Sequence, residues 1–284
     1  MNQSARRNRR ANAHPTVVLL GNSTVRLIPT DGVRLRANAA VELPTAQFLQ
    51  TSFKSLPSSA RGLLAAAHPL VVCSVHREAL AKLSQAARQS GQPLHRYGAD
   101  FGPGLAVRLP AAAAQQVGRD RLAACAAAID EFPQGALVCD IGTALTINRV
   151  TPRGFEGGLI APGVQLGLAA LHTGTSQLPP VAAGPARFPA KNTAAAMRLG
   201  CLTAVAGAIE KVYRAESARS TASASPRRKS GAKSSSGASL PLILTGGSVI
   251  IIQPFLTLRA LWRPQLVATG VWTVFCREFG RERS

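Results

Sequence analysis

Two stretches of this chain, about half its length apart, spell one pattern. From Val17 it reads VVLL-GNS-TVRLI-PTDG-VRL, and from Ala136 it reads ALVCD-IGT-ALTINRV-TPRG-FEGGLI. Each is a strand, a glycine turn, a second strand of alternating character, another turn and a third short strand. Gly21 aligns with Gly142, and the next turn glycines, Gly32 and Gly154, follow 11 and 12 residues later. Two copies of one β-meander point to a duplicated pair of domains.

Between and after the meanders the periodicity turns helical. Residues 45–67 read as helix broken near Pro57, and Glu78 to Ser90 as an amphipathic helix closed by Gly91. Leu122 to Ile129, Leu166 to His172 and Ala194 to Arg214 are further helices. Apolar strands are expected at Pro69 to Val75, Leu94 to Tyr97, Gly104 to Leu109 and Leu240 to Leu244. The class is therefore α/β. The expected domains are 15–116 and 117–266, with a basic disordered tail at 1–14, a disordered loop at 217–239 and a C-terminal tail at 267–284.

The second meander carries chemistry. Its first strand ends in Asp140, and the turn Ile141-Gly142-Thr143 follows. A glycine there lets backbone N–H groups approach an anion closely, which suits a phosphate. Asp140 can face a cation, and Thr143 offers a hydroxyl beside both. Four such letters also occur in ordinary hairpins, where Asp and Thr satisfy the local backbone. Gly118-Arg119-Asp120-Arg121 opens a helix, and by its letters alone Asp120 there reads first as a capping carboxylate. Thr193, before the long helix, reads equally as an N-cap.

Composition excludes several classes. The net charge of +20 raises nucleic-acid binding. Much of it lies in low-complexity segments, Arg6 to Arg10 and the Ser/Ala-rich run around Arg227, Arg228 and Lys229, with no interleaved aromatics to stack on bases. No nucleic-acid partner is expected. No apolar run is long enough for a membrane span, since Leu240 to Leu261 is broken by Gly246-Gly247 and Pro254. The five cysteines are scattered without a C-x-x-C spacing, so free buried thiols and a cytoplasmic location are expected.

Taken together and in order, D-I-G-T-A at 140–144, G-F-E-G-G-L-I-A-P-G at 154–163 and A-L-H-T-G-T-S-Q-L-P at 170–179 resemble type III pantothenate kinases. So does G-R-D-R at 118–121. Looser likenesses are Ser74-Val75, Gly98-Ala99-Asp100, Lys191-Asn192-Thr193, Thr245-Gly246-Gly247 and a final helix from Pro254 to Leu261. The resemblance covers about residues 16–262. It implies two ribonuclease-H-like domains of the actin-like ATPase superfamily with a nucleotide cleft between them, and the family's homodimer.

It further implies phosphorylation of pantothenate by ATP, the first step of coenzyme A synthesis. Asp120 would be the catalytic base, and Gly118, Arg119, Asp120, Arg121 and Thr193 would bind pantothenate. Gly21, Asn22, Ser23, Arg26, Thr143, Gly246 and Gly247 would contact ATP with its Mg²⁺. Asp140 would hold a monovalent cation, K⁺ or NH₄⁺. One position departs from the pattern. The family's first hairpin reads D-x-G-N-T, with the Asp approaching Mg²⁺, and this chain has Leu19 there. Asp31 and Asp100 are the nearby carboxylates. Two readings stay open: a kinase with a rearranged metal site, or a catalytically impaired relative that binds nucleotide or pantothenate as a regulator.

Overall fold

The computed structural model describes residues 14–65, 68–223 and 240–280. The N-terminal arginines and most of the Ser/Ala-rich basic run lie outside the described residues. In chain order the elements are β1 (Thr16–Leu20), β2 (Thr24–Pro29), β3 (Val41–Pro44), α1 (Thr45–Gln50), α2 (Ser58–Leu63), β4 (Leu70–Ser74), α3 (Arg77–Ser90), β5 (Leu94–Arg96), α4 (Ala111–Gln116) and α5 (Arg119–Glu131). They continue as β6 (Ala136–Ile141), β7 (Ala144–Thr151), β8 (Gly154–Pro162), α6 (Val164–Thr173), α7 (Thr193–Ser223), β9 (Leu242–Thr245), α8 (Val249–Ile252), β10 (Leu261–Trp262) and α9 (Leu266–Phe279).

The chain forms two compact units, Met1–Ala127 with Gln265–Ser284, and Ala128–Pro264. Each holds one five-stranded sheet, ordered β3-β2-β1-β4-β5 in the first and β8-β7-β6-β9-β10 in the second. The order is the same in both, third-second-first-fourth-fifth. In both the first three strands are antiparallel, and the first, fourth and fifth run parallel. The fold is thus a duplicated α/β pair of ribonuclease-H-like units.

Local chemistry explains the elements. β1 (TVVLL) and β4 (LVVCS) are apolar runs rich in Val and Leu that a pleated, buried strand favours. α3 starts where the His76 ring accepts from Ala79 N–H and stops at Gly91, which takes the left-handed conformation at φ 64°. In unit 1 one sheet face buries Val18, Leu20, Val25, Leu27 and Val72 against Phe48, Leu56 and Leu83. In unit 2 Leu137, Cys139, Ile141, Leu145 and Ile147 pack against Leu168, Leu202, Val205 and Ile209 of α6 and α7.

Several expectations change. The third strand of the first meander is Val41–Pro44, and Leu35 makes only an isolated bridge to Thr30. Residues 104–109 form no named strand, and 254–261 form no α-helix. The long helix continues to Ser223, so residues 217–223 are helical and not loop. Just before that stretch Glu216 pairs with Arg149 of β7 at 3.1 Å, and within the helix it pairs with Arg219 at 3.0 Å.

The expected tail is helix α9, which belongs to unit 1 and packs on β1 and β4. Gly270 allows it to touch the backbone of α5 at Ala123. Its aromatic face joins Phe275 and Phe279 to His95 and Phe101, with ring centroids 5.1–5.9 Å apart. Trp272 donates to the Val33 carbonyl at 3.0 Å. Unit 1 also takes the start of α5 with its G-R-D-R turn, so the contact boundary lies at 127/128 where the sequence suggested 116/117.

Candidate active site

In unit 1 the β1–β2 turn is closed by Gly21 N–H donating to the Thr24 carbonyl at 3.0 Å. Thr45, at the start of α1, donates its hydroxyl to the Gly21 carbonyl and its N–H to the Ser23 carbonyl. The turn is therefore braced, with Asn22 and Ser23 exposed on top of it. The β4 end lies alongside, because Val75 N–H donates to the Leu20 carbonyl at 3.0 Å. The carboxyl ends of parallel strands are where open α/β sheets bind ligands.

Strand register places a row of side chains on the sheet face opposite the Val18–Leu20 core. Leu19 pairs with Arg26, Arg26 pairs with Glu42, and Leu19 lies beside Cys73 of β4. Paired residues share a face. Arg26 Nε sits 2.6 Å from Glu42 Oε1, a close ion pair without hydrogen-bond alignment. Neither nearby carboxylate replaces the missing one. Asp31 accepts the N–H groups of Val33 and Arg34 in the far turn, and Asp100 forms a two-pronged pair with Arg96.

The G-R-D-R turn comes to the same sheet. Asp120 is the second residue of α5, and its Oδ1 accepts the Arg121 N–H at 2.8 Å. A Cβ on Gly118 would fall 2.6 Å from that oxygen, so glycine makes room for the carboxylate. Burial raises the Asp120 carboxyl above the ordinary range, against the lowering effect of the Arg121 N–H and guanidinium. Burial also lowers Arg121, which Cys125 and Asp120 partly restore. The Arg119 side chain lies across Gly98, where a Cβ would fall 2.6 Å from its Cδ. Cys73 is raised by burial first and by Asp120 second, while Arg119 lowers it, so both charges act on the neighbour of Leu19.

In unit 2 the equivalent turn is denser. Asp140 pairs with Thr146 on one side and Thr245 on the other. A Cβ on Gly246, at φ 95°, would fall 2.5 Å from Asp140 Oδ1 and 2.6 Å from the Ile141 carbonyl. Gly163 packs with equal closeness on the carbonyls of Gly142 and Thr143, and its N–H donates to the latter at 3.1 Å. The turns after β6, β8 and β9 thus meet at Asp140. Thr143 is exposed above them, and Gly247 is exposed with open space where a side chain would be.

The remaining expected residue, Thr193, is exposed in the first turn of α7. It does not cap the helix. Asn192 does, its Oδ1 accepting Ala195 N–H at 2.9 Å. In unit 1 the β1–β2 hairpin gathers Gly21, Asn22, Ser23 and Arg26, while the 118–121 turn lies against Gly98 after β5. In unit 2 it gathers Asp140, Thr143, Gly246 and Gly247. Glu42 was missed because the sequence placed the third strand at 33–35. Among the described residues no group of three or more His, Cys, Asp or Glu side chains could hold a metal ion, and no helix is long and apolar enough to cross a membrane.

Known proteins share this plan. The profile of the type III pantothenate kinase family matches residues 17–215. A type III pantothenate kinase of Alkalilimnicola ehrlichii is 32% identical over 266 residues, covering 91% of this chain and 96% of its own. Another, from Herminiimonas arsenicoxydans, is 40% identical over 163 residues, 56% of this chain and 57% of its own. Among solved structures, one from Campylobacter jejuni described as a conserved Baf family transcriptional activator has a TM-score of 0.55 at 16% identity. It covers 93% of this chain and 98% of its own, and it shares the fold.

Proposed function

The chain belongs to the type III pantothenate kinase family, and from that premise we propose that it transfers the γ-phosphoryl group of ATP to the primary hydroxyl of pantothenate. The observation that carries this reading is Asp120, a half-buried carboxylate of raised proton affinity in the first turn of α5, in the same unit as the first phosphate turn. A base is most useful when its proton affinity lies near that of its surroundings, and burial moves Asp120 in that direction.

In this reading the pantothenate hydroxyl gives its proton to Asp120 as its oxygen bonds to the γ-phosphorus. The bond from that phosphorus to the β,γ-bridging oxygen breaks, and its electron pair leaves with ADP. Arg121 neutralises the carboxylate of pantothenate, for which a guanidinium has matched geometry. Thr193, relieved of capping by Asn192, offers its hydroxyl to the same substrate. Within unit 1 the exposed Asn22–Ser23 turn, and within unit 2 the exposed Thr143, each offer donors suited to phosphate oxygens, and the open space at Gly247 suits the adenosine end.

The donor set at Asp140 fits a monovalent cation. A carboxylate flanked by two threonines and by the packed 141 and 246 backbone is made of hard oxygens. A cation held there would offset phosphate charge. The first turn does not fit a protein-held divalent ion, because Leu19, Gly21, Asn22 and Ser23 offer no carboxylate. Mg²⁺ enters this reading only as part of the nucleotide substrate. A homodimer and a cytoplasmic location complete it.

A coupled assay of ATP consumption with pantothenate tests the reading. Wild type should turn over only when pantothenate is present, and Asp120→Asn should lose about 10³-fold in kcat, in the range of general-base removal. The wild-type rate should fall on the acid side as pH drops through the raised Asp120 value. Tight binding of pantothenate or nucleotide without turnover would instead favour a regulatory relative, the alternative that Leu19 keeps in play.

A further inference from the structure

The stretch between α1 and β4 holds a cavity outside the candidate active site. Residues 51–64 read T-S-F-K-S-L-P-S-S-A-R-G-L-L and include α2. Leu56 and Ala60 are buried with Val18 and Leu20, so this stretch covers the sheet face opposite the row that holds Leu19 and Arg26. With those two side chains turned into the core, Lys54 and Arg61 are left exposed. Arg61 Nη1 donates to the Lys54 carbonyl at 3.0 Å, which draws the two residues together across seven positions of sequence. Beside them opens a cavity of about 390 Å³, lined by Phe53, Lys54, Arg61 and Leu64.

The apolar wall is fixed by Lys82 of α3, which donates to the carbonyls of Phe48, Leu49 and Thr51 at 2.7, 2.8 and 2.7 Å. Its ammonium also lies 5.6 Å from the Phe53 ring centroid, and Phe48 meets that ring edge-on at 5.7 Å. Phe53 and Leu64, both half-buried, pack against the unit 1 core. A wall held in place before a ligand arrives lowers the ordering cost of binding. The charge around the cavity is unbalanced. Arg36, Arg96, Arg149 and Arg263 each meet a carboxylate. Among the described residues Lys54 and Arg61 meet none, and the sequence has no Asp or Glu between Glu42 and Glu78. Arg61 spends one of its five N–H donors on the Lys54 carbonyl.

We propose that this cavity is a binding site for a small amphiphilic anion, its carboxylate or phosphate head on Lys54 and Arg61 and its apolar stem against Phe53 and Leu64. The proposal goes beyond the kinase reading and does not depend on it. Small-molecule sites span about 300–1,000 Å³, and this cavity, at the low end, suits a single head group on a short chain. Two cations and two apolar side chains around one cavity match a ligand that carries both characters. They match neither a neutral lipid nor a bare ion.

Calorimetric titration of the full chain with octyl phosphate and with octanoate, each below its micelle-forming concentration, tests this. One molecule should bind per chain, with Kd below about 1 mM. Octyl glucoside has the stem without the charge, and inorganic phosphate has the charge without the stem. Each should bind at least about tenfold more weakly. Lys54→Gln and Arg61→Gln should each weaken the octyl anions about two- to fivefold, as fits exposed cations, and the double variant about tenfold. Arg61→Lys should lose less than Arg61→Gln. Arg88→Gln, which removes an exposed charge near the end of α3, should change nothing. Binding of either anion with this dependence supports the proposal, and the tighter of the two identifies the head as phosphate or carboxylate. The proposal is overturned if neither anion binds, if the neutral octyl compound binds as tightly, or if binding appears only above the micelle threshold. It is overturned equally if the double variant binds like wild type, or if Arg88→Gln loses as much as Arg61→Gln, which would show attraction to net charge alone. Melting curves identify any variant that fails to fold, and Lys54→Gln with Arg61→Lys then carry the test.

Discussion

The two glycine turns occupy the same place in the same five-stranded topology, yet they present different chemistry. Asp140 and Leu19 both stand two residues before the turn glycine, on the central strand of their sheets. Asp140 has Thr146 and Thr245 as strand neighbours, and three loops meet over it. Leu19 has Arg26 and Cys73, with a looser turn beside it. One duplicated frame thus gives an oxygen-rich seat in unit 2 and an apolar residue between an arginine and a thiol in unit 1. Backbone shape and side-chain chemistry can therefore diverge independently after duplication, since the turn needs only its glycine and its hydrogen bonds.

The sharpest way to break the comparison is to make the second turn like the first. Asp140→Leu should lower kcat/KM about 10²- to 10³-fold, the range for removing an electrostatic group at a phosphoryl site, and abolish any stimulation by K⁺. A variant that kept full activity would mean the two turns are interchangeable.

The glycines should differ next. Gly246→Ala forces a side chain into φ 95° and against Asp140 and the Ile141 carbonyl, costing about 2–3 kcal/mol of stability and raising the KM for ATP. Gly21→Ala meets only the Thr24 carbonyl, at 3.0 Å and at an ordinary φ. It should cost under about 1 kcal/mol. Denaturant melts of both variants decide whether the unit 2 turn is the tighter one.

The smallest effect concerns Asp120, the carboxylate unit 1 does keep. Its folded proton affinity is above the unfolded value. Between the two, the folded state holds a proton that the unfolded state has released, and above both it bears the cost of a buried charge. Its contribution is therefore destabilising at neutral pH and fades as pH falls through the folded value towards the unfolded one. Asp120→Asn should melt higher than wild type at neutral pH, with the gap closing in acid. A gap that widened in acid would contradict the raised proton affinity of this half-buried carboxylate.

Much of this was legible in the letters. Alternating apolar residues and turn glycines marked the two meanders, and contiguous motifs marked Asp120, Asp140 and the glycines around them. What the letters hid depends on pairing at a distance. β3 is preceded by the irregular stretch after Leu35, so nothing local said that Glu42 would lie across from Arg26. α9 was passed over because it matched no motif. Its apolar positions Leu266, Val271 and Val274, with Gly270 between, carry a helical period that could have revealed it. Its role is visible only where Gly270 meets Ala123, which braces the helix bearing Asp120. The helical run to Ser223 reads as low complexity by composition, and the partner Arg149 that holds Glu216 lies more than sixty residues earlier.

The central claim is that this chain phosphorylates pantothenate with Asp120 as base. Mass spectrometry of pantothenate incubated with ATP and the purified chain tests it most directly. The account predicts a product heavier by one phosphoryl group from wild type and almost none from Asp120→Asn. Equal product from both, or none from wild type under conditions where ATP binds, would contradict it.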